Sequence, residues 1–372
     1  MDQREELCRL AAAPGANLRE LARRFNISRT TLYKWVAREA EKGRAGLEDR
    51  SRRPVRQPLR TPPDVEQAVL RVFDETRWGN RMIRAYLVNH SHPAVPSAST
   101  IQSILRRHGR LVLRSHSTHE PYVRFERHQP NSLWQMDFKG HFAMASGRCH
   151  PLTILDDHSR YSLGLQACAD ERGTTVQERL TRVFQRYGMP EQMLMDNGPP
   201  WGVDDAHGYT PLTVWLIRLG ITPIHGRPYH PQTQGKDERF HRTLNTEVIR
   251  NRIFSGLTAV QHDFDRWRHL YNHERPHEAL GLKPPISRYR PSAISFPSKL
   301  PPIDYGPTDE VLVPMRNMGR ITFAGREWKI GKSFAGLPVA VRPTSTDGLY
   351  GVFFCHMQLR EIDLRPRPEQ LD

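Results

Sequence analysis

Residues 132–142 read SLWQMDFKGHF, and two runs of the same kind follow, HPLTILDDHSRYSLGLQACA at 150–169 and EQMLMDNG at 191–198. Each is a short apolar or alternating run closed by turn residues, the pattern of a strand buried on one or both faces. Between the second and third lies GTTVQERLTRVFQRYG (173–188), where Val176, Leu180 and Phe184 recur at helical spacing and mark one face. Strands first, then alternating helix and strand, predict an α/β core with a mixed sheet. TPLTVWLIRLG (210–220), ITPIHG (221–226) and helices from about 235 to 275 continue it, and a proline-rich passage closes it.

The chain has 372 residues, enough for two or three domains with sizeable cores. Its 55 Lys and Arg against 40 Asp and Glu give a formal charge of +15, which points to a polyanionic partner. The opening MDQREELCRL has acids among its first residues and no apolar signal core, and no later run approaches the roughly 18 apolar residues of a spanning helix. A membrane is therefore not expected, and a cytoplasmic location is. Cys8, Cys149, Cys168 and Cys355 lie far apart without a CxxC pair, so neither a zinc site nor a disulfide framework is predicted.

Both flanks of the core have their own patterns. In NLRELARRFNISRTTLYKWVARE, Leu18, Leu21, Ala22 and Phe25 follow helical spacing, NIS breaks the helix with Ser28 as N-cap, and Leu32, Trp35 and Val36 give the next helix an apolar face. A helix-turn-helix over 1–47 is expected, with Arg29, Thr30, Thr31, Tyr33 and Lys34 on the side that meets bases or phosphates. Residues 48–64, rich in Arg and Pro, read as an extended linker whose Arg52 and Arg53 suit a DNA backbone or minor groove. A second helix-turn-helix is expected over 65–112, ending in a Ser-capped basic helix with Ile101, Ile104 and Leu105 inward. Residues 305–362 alternate apolar and polar with Gly-containing turns, which predicts a small antiparallel β-barrel.

Three carboxylates stand out in the core. Asp137 follows SLWQM, Asp196 follows EQMLM, and Glu238 lies near the start of a helix in GRPYHPQTQGKDERFHRTLNTEV (226–248). A carboxylate beside an apolar strand is costly unless it is paired or binds a metal. Each acid alone has a salt bridge as its ordinary explanation. Together, from separate elements, they are the hard oxygen donors that suit two Mg²⁺ ions acting on a phosphodiester.

WQMDF, ILDDHSRY, MDNGPPW and HPQTQGKDERFHRTLNTE, in that order, resemble the catalytic core of the DDE transposases of bacterial insertion sequences, relatives of retroviral integrases. The resemblance covers roughly residues 15–290. It implies a ribonuclease H-like core over 125–290 and two Mg²⁺ ions, with Mn²⁺ able to substitute. It also implies cleavage of element ends followed by attack of the freed 3′ hydroxyl on target DNA. By position Asp137, Asp196 and Glu238 match the catalytic and metal-binding triad, while Asp156 and Asp157 match a supporting strand-end motif. His230, Pro231, Gln234 and Gly235 match the segment leading into the catalytic helix, and His230, Gln234, Lys236, Arg239 and Arg242 are expected to face DNA. The partners implied are double-stranded element ends and target DNA, bound by a homo-oligomer, in a bacterial, nucleoid-associated setting.

There are departures. The interval from Asp196 to Glu238 is longer than usual in the family, with the extra residues assigned to GVDDAHGYTP (202–211). Asp237 adjoins Glu238, and neighbours on a helix point about 100° apart, so both cannot face one metal; the ER step before Phe240 favours Glu238. Where relatives carry Lys one turn on, this chain has Arg242, which either grips a phosphate or pairs with Glu238. The competing readings are a DNA-binding regulator or inactive relative, which leaves the three acids without a role, and a hydrolytic nuclease of related fold, which leaves two DNA-reading domains without one.

Overall fold

Leu7, Ala22 and Leu32 meet at the centre of three helices, α1 (Gln3–Ala11), α2 (Leu18–Arg24) and α3 (Arg29–Lys42). Asn17 caps α2 by accepting from the Arg19 and Glu20 amides, and Ser28 caps α3 by accepting from the Thr31 amide at 3.1 Å. Between them Asn26 takes a positive φ of 51°, a turn that Asn tolerates better than most residues. These helices belong to the first of two compact units, Met1–Thr61; the second is Pro62–Asp372. The computed structural model describes residues 3–49, 60–110, 126–202, 208–226 and 235–365. Arg52, Arg53, His230, Pro231 and Gln234 lie outside the described residues.

The second unit begins with another three-helix cluster, α4 (Pro63–Thr76), α5 (Asn80–Asn89) and α6 (Ala98–Arg107). Ser97 caps α6 through the Thr100 amide, and Ile101, Ile104 and Leu105 turn inward onto Val69, Phe73, Trp78 and Ile83, as the spacing predicts. Glu66, buried in α4, takes Arg107 at 2.6 Å and His108 at 3.2 Å, so part of the basic end of α6 serves the fold.

The core sheet contains β1 (Trp134–Phe138), β2 (Phe142–Ala143), β3 (Arg148–Asp156), β4 (Ser162–Cys168), β5 (Gln192–Met195) and β6 (Thr222–His225), with α7 (Gly173–Tyr187) before β5 and α8 (Pro211–Arg218) before β6. Its strands run in the order β4-β3-β1-β5-β6, with β2 on the start of β3. β1, β3 and β4 are antiparallel, whereas β1, β5 and β6 are parallel. That is the mixed sheet of a ribonuclease H-like core. After β6 come α9 (Gly235–Leu244), a π-helical turn over Asn245–Ile249 and α10 (Leu257–His273).

Helices cover both faces of the sheet. Val176, Leu180 and Phe184 of α7, with Leu212 and Leu216 of α8, pack against Trp134, Met136, Leu152, Ile154, Met193 and Met195. On the other face Phe240 and Leu244 of α9 and Phe264, Trp267 and Tyr271 of α10 pack against Cys149, Leu155, Leu165 and Ala167. The proline-rich passage returns beneath α7, where Met189 donates to the Ile294 carbonyl at 2.7 Å and Gly188, at φ +76°, leaves no room for a Cβ beside Ser292 and Ile294.

The C-terminal strands are β7 (Glu310–Leu312), β8 (Arg320–Phe323), β9 (Arg326–Lys329), β10 (Val339–Pro343), β11 (Leu349–Phe354) and β12 (Met357–Asp363). The antiparallel strands expected for this region are present, and among the described residues they pair as a four-stranded sheet, β12-β11-β10-β7, beside a β8–β9 ribbon, without barrel closure shown. Alternation specifies which residues face inward, and closure needs a consistent stagger that alternation does not encode. Phe334, Val341, Val352 and Phe354 fill the space between sheet, ribbon and Val214 and Ile217 of α8.

Asn272 of α10 is buried and clamps the start of β4, accepting from the Ser162 amide at 2.8 Å and donating to its carbonyl at 2.9 Å. Asn272→Ala leaves both backbone groups unpaired, and denaturant unfolding should show a loss of about 2–4 kcal/mol. A loss under about 0.5 kcal/mol would mean the clamp is dispensable.

Candidate active site

Side chains alternate along β1, and Trp134 and Met136 face α7 and α8, so Gln135 and Asp137 face α9. The same alternation on β5 sends Met193 and Met195 toward α7 and α8, and Asp196, the next residue, toward α9. β1 and β5 are parallel, with Trp134 opposite Met193 and Gln135 opposite Leu194. Continued two residues, that register sets Asp137 beside Asp196 on strands about 4.8 Å apart.

The electrostatics agree with this register. Burial pushes the Asp137 carboxyl up to about 6; the Phe138 amide opposes the shift, and the charges of Asp196 and Glu171 add to it. Asp196 is exposed, and its carboxylate accepts from the Asn197 amide at 2.7 Å. His225 of β6 fixes the backbone there, its Nδ1 donating to the Asp196 carbonyl at 3.0 Å, while Asn197 donates to the Gly226 carbonyl at 2.7 Å. Trp201, buried, stacks on Phe138 with ring centroids 5.6 Å apart.

α9 presents two different faces here. Asp237, Phe240 and Leu244 point inward. Asp237 is 2% exposed, its Oδ1 has no hydrogen-bond partner among the described residues, and burial, then the charges of Asp137 and Asp157, hold its carboxyl well above the ordinary range. Glu238 is on the exposed side, with 71% of its side chain accessible, and pairs with Arg242 at 2.9 Å. Of the two roles open to Arg242, the structure therefore takes the intrahelical pair. Arg239 is exposed.

Lys236, expected among the DNA-facing residues, is placed toward the interior. Its side chain is only 17% exposed and its ammonium is held by the buried Asp157 carboxylate. A carboxylate in the protein interior requires such a partner, and the long lysine stem reaches it from the first turn of the helix. The ILDDHSRY segment is a network of this kind. Asp156 accepts from the Asn131 amide at 2.7 Å and from the Ser159 amide and hydroxyl, while Arg160 binds the Asp157 carbonyl and Glu126. Both aspartates thus support the fold.

Sequence reasoning missed His241. One turn after Glu238, it donates from Nε2 to the Thr153 hydroxyl at 2.9 Å, which in turn donates to the Asp137 carbonyl at 2.9 Å. Burial, helped by the positive charge of Lys139, pushes His241 down to about 4, so the imidazole is neutral. Its position three residues after Glu238 was the available signal.

In the N-terminal unit Arg29, Thr30, Tyr33 and Lys34 are exposed along α3, whereas Thr31 is half-buried and its hydroxyl bonds to Ser28 at 2.8 Å. Thr31 therefore serves the cap as well as the helix surface.

Family models match along much of the chain. An integrase core domain matches residues 127–231 and again 219–285, the C-terminal domain of IS481 family transposases matches 314–370, a helix-turn-helix domain matches 3–54, and a homeodomain-like domain matches 31–105. These matches give the chain an integrase core and make it similar to the transposases of bacterial insertion sequences. Among its relatives is a protein of insertion element IS476 from Xanthomonas euvesicatoria, 28% identical over 42% of this chain and 43% of that one. Another, of insertion element IS407 from Burkholderia multivorans, is 25% identical over 60% of this chain and 81% of that one. The chain thus spans less than half of the first relative's length. A solved simian T-cell lymphotropic virus intasome aligns over 80% of this chain and all of that chain, at 16% identity and a TM-score of 0.41.

The donor set fits a hard divalent cation: the register sets Asp137 beside Asp196, both donors are carboxylates, and a cation offsets both the burial that chiefly raises Asp137 and the smaller contribution of the Asp196 charge. Among the described residues no three acids, histidines or cysteines are grouped closely enough to hold a metal ion, and Glu238 is paired with Arg242.

A folded carboxyl with a raised pKa contributes stability that is complete below the ordinary carboxylate range and lost as pH rises through about 6. In chelator, Asp137→Asn should therefore raise the melting temperature at pH 7 by a few degrees, and the gain should vanish near pH 4. Added Mg²⁺ should stabilise the wild type and leave the variant unmoved. A variant no more stable than wild type at pH 7 would contradict the burial of this carboxyl.

Proposed function

We propose that the chain binds the terminal inverted repeats of its insertion sequence, cleaves the DNA at the element ends and joins the freed ends to target DNA. The observation that carries this reading is the β1–β5 register, which sets Asp137 beside Asp196 on the face covered by α9. Helix-turn-helix and integrase-core matches on one chain support it. A DNA-binding regulator would have no use for two aspartates held side by side on that face.

Asp137, Asp196 and Glu238 would hold Mg²⁺, as two ions, with Mn²⁺ substituting. Bound there, the metal supplies Lewis-acid activation of the attacking oxygen and charge stabilisation of the leaving one. The chain's own residues do the rest. Asp137 is kept in place from behind by Thr153 and His241, whose neutral ring adds no positive charge to compete with the cation. Asn197 and His225 fix the strand end that carries Asp196. Glu238 and Arg242 form an exposed pair, worth about 0–1 kcal/mol, so it separates readily when Glu238 turns to a metal and Arg242 to a phosphate.

In this reading water attacks the phosphodiester at the element end and frees a 3′ hydroxyl, which then attacks a target phosphodiester and expels a target 3′ oxygen. Residues 1–47 and 65–112 bind the repeats, with Arg29, Thr30, Thr31, Tyr33 and Lys34 on α3, and Arg52 and Arg53 along the backbone. The segment with His230 and Gln234, together with Arg239 and Arg242, lies along the DNA beside the core at 125–290. Joining two ends requires at least two active sites, so a homo-oligomer on DNA is part of the proposal, as is a bacterial cytoplasmic, nucleoid-associated location. Among the described residues no helix is long and apolar enough to cross a membrane.

The test is nicking and joining of a labelled duplex carrying the flanking inverted repeats, with and without Mg²⁺. Wild type should give joined products; Asp196→Asn and Glu238→Gln should bind the duplex as well as wild type and give none. Specific binding without cleavage in every protein would point to a regulator or an inactive relative. Lys34→Ala and Arg29→Ala should weaken end binding severalfold and flatten its salt dependence by about one charge each. Unchanged binding in both would remove α3 as the reading helix.

A further inference from the structure

Asp157 and Lys236 form a buried ion pair that neither metal binding nor DNA contact has yet used. Asp157, 1% exposed, follows the end of β3, and its carboxylate is fully engaged. Oδ1 accepts from Gln135 Nε2 at 2.7 Å and from Lys236 Nζ, and Oδ2 accepts from the Arg127 amide at 2.8 Å. Lys236 Nζ also lies 3.3 Å from the Asp157 carbonyl. That carbonyl is in turn bound by Arg160, itself paired with Glu126 at 2.8 Å.

The positions of the two partners matter more than their charge. Gln135 stands two residues before Asp137 on β1 and shares its face. Lys236 stands two residues before Glu238, in the first turn of α9. One carboxylate therefore joins the strand that carries the first site aspartate to the helix that carries the site glutamate. The inward face of α9, with Phe240 and Leu244, sets the rotation of the helix against the sheet. The Lys236 tether sets how far along its axis the helix begins.

The geometry points to Asp157 and Lys236 as positioning residues of the strand-transfer site: their pair fixes the start of α9 and so holds Glu238 within reach of the metal that Asp137 and Asp196 bind. This rests on the function proposed above. A pair that served stability alone would be replaceable by neutral groups of similar size without loss, since buried ion pairs often contribute little net stability over apolar replacements. A tether is not replaceable in that way. Misplacement of a reacting group by about 1 Å costs on the order of a hundredfold in rate.

The comparison uses the full chain as wild type, Lys236→Met, Lys236→Arg and the double variant Asp157→Asn/Lys236→Met, with three readouts. These are melting temperature, amide hydrogen exchange across residues 236–244 and 257–273, and the rate and duplex affinity of Mg²⁺-dependent end cleavage. Lys236→Met should lose stability because it leaves the Asp157 charge buried alone. The double variant should recover it, yet exchange about tenfold faster at the start of α9 with α10 unchanged. It should also cleave about a hundredfold more slowly at unaltered duplex affinity, with Lys236→Arg restoring most of the rate. A double variant that exchanges like wild type along α9, or cleaves within about threefold of it, overturns the inference. Should the double variant not fold, Lys236→Gln, with a donor on a shorter stem, carries the same comparison, and unchanged exchange along α9 overturns it there too. If wild type cleaves nothing while exchange at α9 still rises in the double variant, the proposed function fails and the tether stands.

Discussion

The sheet face toward α9 carries polar groups where a two-layer core would ordinarily carry apolar ones. Gln135, Asp137 and Thr153 share that face, and Asp157 lies just past the strand end. Buried polar groups must be satisfied by the elements that cover them. The covering helix is built accordingly: Lys236 answers Asp157, His241 answers Thr153, and Phe240 and Leu244 supply the apolar contact that keeps α9 down. Asp137 and Asp237 are both raised by burial and by neighbouring acids, and among the described residues the Asp237 Oδ1 has no hydrogen-bond partner.

Much of this was legible in the sequence because it follows from periodicity. Val176, Leu180 and Phe184 declared the inner face of α7, Ser28 and Ser97 declared two helix starts, and alternation along WQMDF put Asp137 opposite the face of Trp134 and Met136. The side-by-side placement of Asp137 and Asp196 needed one further fact, the parallel pairing of β1 with β5, because register between distant strands is fixed by tertiary packing. Lys236, Thr153 and His241 were not legible. Their roles depend on which strand lies under α9, and a lysine beside acids on a helix has the same pattern whether it faces solvent or a buried carboxylate. The pairing of the C-terminal strands was not legible for a related reason, since alternating residues describe a barrel wall and an open sheet equally well.

The two kinds of acid in the core have opposite surroundings. Asp156 and Asp157 are nearly inaccessible and accept two or more hydrogen bonds each, so their charge is consumed by the turn after β3. Asp137 and Asp196 stand at strand ends, and among the described residues Glu238 is paired with an exposed Arg242 that solvent can replace. Cations divide in the same way. Arg160 and Lys236 are drawn into the interior and set geometry, whereas Arg239, Arg242 and the α3 cations remain at the surface. An overall charge of +15 therefore does not measure the DNA-binding surface, because part of the basic inventory is spent on fixing acids inside. Under the function proposed above, the same interior pairs that subtract from that surface would hold the start of α9, so charge withdrawn from binding would be returned as geometry at the site.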